Sequence, residues 1–157
     1  MWPIDKAPFE IGQCSKSNVV PLSHWSDYPY RIESEDPRNK KLKEIEPARL
    51  VLAEPLSAKE FSLLRRQDSI RLGGRALLTL WQHRKEIPER LWERHEETLP
   101  YTKAKVSSFA VDGLRMLNPH GVLCTFYLVR FCGEVRWGIT PINYKRGPHF
   151  KALVYLC

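Results

Sequence analysis

The sequence predicts an α+β protein: an irregular, proline-rich N-terminal arm, then two or three helices packed on a small antiparallel β-sheet. Three observations carry this expectation. Seven of the twelve prolines precede residue 56, apolar residues recur at helical spacing between residues 57 and 84, and apolar and polar residues alternate after residue 122. Proline fixes φ and removes an amide donor, so its density keeps long helices and central strands out of the first segment. With 157 residues, 43% of them hydrophobic and 27% charged, the chain has the make-up of an ordinary globular protein and the size of one domain.

Residues 1–55 are expected to form the arm, packed on the body, and residues 56–157 a single α+β domain. Within the arm only Ala48–Ala53 reads as a short strand, and Glu33–Lys41 reads as a solvated loop with charges of both signs. Trp2, Phe9, Trp25, Tyr28 and Tyr30 supply rings that would fasten the arm at intervals. Ser57 and Glu60 make a capping-box pattern just before an apolar run. Phe61, Leu63, Leu64, Ile70, Leu77, Leu78 and Trp81 then follow at helical spacing, interrupted by Gly73-Gly74. Each glycine costs about 1 kcal/mol relative to alanine inside a helix. Two helices meeting at the glycines are therefore expected, with the pair serving as C-cap and turn. Pro88 ends this segment and opens a short charged helix over residues 89–97.

The last third reads as β-structure. Val122–Phe131 and Val135–Thr140 alternate on either side of Cys132-Gly133, the pattern of a hairpin turning at the glycine. Pairing Phe131 with Glu134 sets Leu128 opposite Trp137 and Phe126 opposite Ile139. One face then becomes wholly apolar: Cys124, Phe126, Leu128, Trp137 and Ile139. A further strand is expected at Phe150–Leu156, and Trp81, Trp92 and Trp137 are assigned to the core because each ring has so much area to bury.

Charge is unevenly distributed. The net +7 comprises −1 over residues 1–55, +2 over residues 56–100 and +6 over residues 101–157, where eight bases face two acids. A basic surface neutralises phosphates, and exposed rings stack on unpaired bases. Arg136, Lys145, Arg146 and Lys151, with Tyr127 and Tyr144 among them, are accordingly the candidate nucleic-acid-binding residues. Lys103, Lys105, Arg115, Arg130, Phe150 and Tyr155 belong to the same basic and aromatic stretch. The competing explanation is that lysine and arginine guard a sheet edge against aggregation.

No catalytic residue, metal site or cofactor is expected. His95-Glu-Glu-Thr-Leu lacks the second histidine of a zinc helix, and the chain has no Gly-x-Ser-x-Gly elbow and no phosphate-binding glycine loop. Cys14, Cys124, Cys132 and Cys157 are scattered and read as reduced, buried thiols. The start, Met1–Glu10, is not a secretory signal, and no run approaches the ~18 apolar residues of a membrane span. A cytoplasmic protein without membrane contact is expected. The leading function is a small non-enzymatic binding module contacting nucleic acid through the basic C-terminal sheet. Two other classes remain: a protein-interaction or structural subunit using the arm, and a metal-independent ribonuclease of toxin type built from His120, Tyr144, Lys145, Arg146 and His149. The oligomeric state stays open.

Overall fold

The structure is a computed structural model that describes residues 9–10, 31–64, 68–93, 96–142 and 150–157. In chain order its elements are β1 (Phe9–Glu10), β2 (Arg31–Glu35), β3 (Glu44–Ile45), β4 (Leu50–Ala53), α1 (Ala58–Phe61), β5 (Ser69–Arg71), α2 (Gly74–Gln82), α3 (Glu89–Glu93), β6 (Glu97–Thr98), β7 (Lys105–Leu117), β8 (Leu123–Phe131), β9 (Glu134–Pro141) and β10 (Lys151–Leu156). Single 3-10 turns occupy Pro37–Lys41, Pro47–Arg49 and Arg84–Glu86. β1 and β3 form a two-stranded ribbon, and the other eight strands form one mixed sheet in which β4, β10, β7, β8 and β9 lie side by side.

The 13-residue β7 organises this sheet. One of its edges is given to β8; the other is shared end to end by β6, β10 and β2. β10 runs parallel to β7 at Lys151–Ala152, and all other pairings are antiparallel. Between Val111 and Met116 the β7–β8 register slips, and β7 bows outward. The Thr125 hydroxyl sits in the bow, 2.9 Å from the Val111 carbonyl and 2.8 Å from that of Leu114. There β5 takes the place of β7 beside β10, and the Gly113 amide donates to the Leu72 carbonyl at 3.1 Å. A Cβ on Gly113 would run into the Arg71 carbonyl, so only glycine permits this approach.

One face of the sheet carries Phe109, Phe126, Leu128 and Leu153, all fully buried. α2 and α3 lay Leu77, Leu80, Leu91 and Trp92 against them, the layer packing that buries both apolar surfaces. The Trp92 and Phe109 rings lie 4.6 Å apart, and Trp137 meets the Phe126 ring edge-on at 6.0 Å. Trp92 is inside the core, while Trp81 and Trp137 pack against it half-buried.

The hairpin forms in the register read from the sequence, with Phe131 opposite Glu134, Leu128 opposite Trp137 and Phe126 opposite Ile139. Cys132 and Gly133 both take positive φ, +50° and +80°, which matches the strand twist of a two-residue turn. The capping box at Ser57 and Glu60 also forms.

Other expectations are corrected. The sheet, expected to be small and antiparallel, has eight strands among the described residues and is mixed. The short strand expected at Ala48–Ala53 forms as β4, but it and residues 31–35 of the expected arm are strands of the main sheet; Trp2, Trp25, Tyr28 and Tyr30 lie outside the described residues. α1 is a single turn, and Ile70 belongs to β5, because the edge of β10 offers residues 69–71 a ladder. Gly73 and Gly74 open α2 where a helix end was expected: Gly73 is its N-cap, and a Cβ there would strike the Glu35 carboxylate, which accepts from the Gly74 amide at 3.1 Å. Cys124 is buried, but Cys132 and Cys157 are exposed free thiols; Cys14 lies outside the described residues.

Candidate functional site

Between the end of α2 and the β8–β9 turn lies a groove of about 600 Å³. Its walls come from four places in the chain. Trp81 closes the last turn of α2, and Arg84 and Lys85 follow in the 3-10 turn. Glu89 and Trp92 enter from α3, Arg130 from the end of β8, and Glu134 and Arg136 from the start of β9. Two cations just past the C-terminus of α2 also complement the negative end of its dipole.

The charged groups differ in how firmly they are held. Arg130 is fixed: Nη1 donates to Glu89 at 2.7 Å, Nη2 stands 3.6 Å from Glu96, and the guanidinium lies 5.4 Å from the Trp92 ring centre. The hydrogen bond from Arg130 holds the Glu89 carboxyl below the usual glutamate range. Arg84 stacks on the Trp81 ring at 4.5 Å and donates to the Trp81 carbonyl at 3.0 Å. Lys85 is exposed. Among the described residues Arg136, with 69% of its side chain exposed, has only a 3.4 Å contact with the similarly exposed Glu134, worth little in water. Arg84 and Lys85 thus bring positive charge to the rim beside a half-buried indole, while Arg136 lines the groove from the edge strand, its position registered with Val129 on the face of the sheet away from α2 and α3.

The residues singled out from the sequence do not all meet here. Arg136 lines the groove. Tyr127 stands diagonal to it on the same side of the β8–β9 ladder, its ring laid over Gly138, where a Cβ would collide with it. Lys151 is registered on Phe109, on the opposite side of the sheet, and pairs with Glu54. Tyr144, Lys145 and Arg146 lie outside the described residues, as does His149, while His120 is exposed in the turn between β7 and β8. Two members of the basic stretch are withdrawn from the surface: Arg115 is 1% exposed and Tyr155 is 5% exposed. The groove recruits Trp81, Arg84, Lys85 and Arg130, which the sequence reading left out of the binding set. Their signal was Trp81-x-x-Arg84-Lys85, an aromatic followed by two bases at a helix end.

Among the described residues, no three His, Cys, Asp or Glu side chains are grouped to hold a metal, and no helix is long and apolar enough to cross a membrane. Comparison with family models, with curated proteins and with solved structures gives no match to this chain.

Proposed function

We propose that the chain is a small binding module that takes single-stranded nucleic acid in the groove between Trp81 and the β8–β9 turn, without chemistry on it. The observation that carries this reading is the pair of cations Arg84 and Lys85 at the Trp81 ring, with Arg136 lining the same groove from the edge strand. Phosphate recognition needs cations that are not already neutralised, and sequence-tolerant base binding needs a flat surface to stack on. An arginine stacked on an indole offers both. The locked Arg130–Glu89 pair supports the groove wall and leaves the ligand to its neighbours.

Fluorescence anisotropy of a labelled single-stranded oligonucleotide over a range of salt tests this. Each phosphate neutralised on a single strand contributes about −0.7 to the slope of log K against log salt, so three cations give roughly −2. Lys85→Ala and Arg136→Ala should each flatten the slope by about 0.7. Absence of binding at low salt, or an unchanged slope in the double variant, overturns the reading. Lys145→Ala with Arg146→Ala is the comparison: loss of binding there alone moves the contact to residues 143–149.

A further inference from the structure

A second cavity, of about 410 Å³, lies on another part of the molecule, between β2 and α1. Glu33, Ser34 and Glu35 line it from β2, Phe61 from α1, and Leu123 from β8; the Arg115 side chain of β7 also borders it. Arg115 belongs to a buried charge cluster with Arg71 and Asp112, all three at most 5% exposed. The backbone of residues 54–56 meets each of them once. Arg71 Nη1 donates to the Glu54 carbonyl at 2.9 Å, Arg115 Nη2 donates to the Leu56 carbonyl at 2.6 Å, and Asp112 Oδ2 accepts from the Leu56 amide at 3.1 Å. Arg71 Nη1 stands 3.6 Å from Asp112 Oδ2.

One aspartate between two arginines leaves an excess positive charge inside the protein. Arg115 Nε and Nη1 are buried with no hydrogen-bond partner among the described residues, as are Arg71 Nε and Asp112 Oδ1. Buried guanidinium donors are ordinarily satisfied, and a donor left unsatisfied beside a cavity is poised for an acceptor from outside. The Phe61 ring covers the Arg115 guanidinium at 4.1 Å, but α1, which carries it, buries none of its own residues. Phe61 is therefore a displaceable cover.

Glu33, exposed at the bulge of β2, selects among oxyanions: its carboxylate repels phosphates and dicarboxylates and accepts from a cation. Glu35 turns to the other face of the strand, where it accepts from the Gly74 amide. We propose that this cavity binds a small molecule carrying one carboxylate and at least one amino or guanidino group, the carboxylate meeting Arg115 and the cation meeting Glu33.

Isothermal titration of the full chain with L-arginine tests this, with acetate, L-glutamate and inorganic phosphate as companions. L-Arginine should bind at least about tenfold tighter than acetate, a difference of about 1.4 kcal/mol, and tighter than L-glutamate or phosphate. Glu33→Gln, at an exposed position, should weaken L-arginine about tenfold with an unchanged circular dichroism spectrum. Phe61→Ala should strengthen it severalfold, because the open site no longer has to be populated first. Absence of L-arginine binding in both the native chain and Phe61→Ala, affinity equal to that of acetate, or an unaffected Glu33→Gln variant overturns the proposal. Phosphate binding tightest of the four overturns the choice of ligand class.

Discussion

Asp36 is the most heavily used polar group among the described residues. It is fully buried, and its carboxylate accepts from the Arg38 amide at 3.1 Å, from Arg38 Nε at 3.0 Å and Nη2 at 2.6 Å, and from the Arg71 amide at 3.0 Å. Asn39 extends the network, donating to the Arg71 carbonyl at 2.7 Å and accepting from the Gly73 amide at 2.9 Å. Together they tie the first 3-10 turn to β5 and the start of α2. Removing one partner of a buried charged network leaves the other uncompensated, so Asp36→Ala should cost about 3–5 kcal/mol in urea unfolding. Glu35, next to it, makes a pH prediction. Burial raises its folded-state pKa above the unfolded value, so the folded form binds the proton more tightly. Its contribution to stability therefore grows as pH falls through the raised value and is complete below the ordinary glutamate range. Glu35→Gln should abolish that gain, read as a flatter plot of thermal midpoint against pH than the native chain gives.

The detour of β7 sets the sheet's layout, and Gly113 is the position that permits it. Gly113→Ala pits a Cβ against the backbone of β5, which cannot yield as a flexible side chain would. The variant should lose more stability than the roughly 1 kcal/mol typical of point substitutions, measured by denaturant unfolding. Gly73→Ala meets only the Glu35 carboxylate, which can swing away, so it should cost less. These elements differ in how visible they are in the chain. The β8–β9 hairpin was legible down to its register because the alternation and a positive-φ turn are both local signals. β7 was not, since Asp112, Gly113 and Arg115 interrupt its alternation where the strand bows. β5 was concealed as well. Ile70 fits a helical spacing, and only the edge of β10, some eighty residues later, makes it a strand.

Molecular charge was legible as a total and misleading in its distribution. The sequence located the excess of bases in the last third, yet Arg115 is spent inside the protein and Lys151 pairs with Glu54 outside the groove. The groove is assembled instead by packing α2 and α3 beside the hairpin, which no local pattern records. Stability should be equally uneven across the molecule. Hydrogen exchange should be slowest in β7, β8 and β10, paired along both edges, and fastest in α1, which buries no residue. A profile in which α1 is as protected as β8 would also contradict its role as a movable cover. The sharing of β10 among β4, β5 and β7 has a consequence for synthesis. The sheet cannot close until the ribosome has made residue 156, and the roughly one hundred residues separating β4 from β10 take on the order of 5–20 s to add. Throughout that interval Leu50, Leu52 and Ile70 emerge on strands whose partner does not yet exist. Closure of the sheet thus waits for β10, and an elongation pause before it prolongs the exposure of those strands to wrong partners.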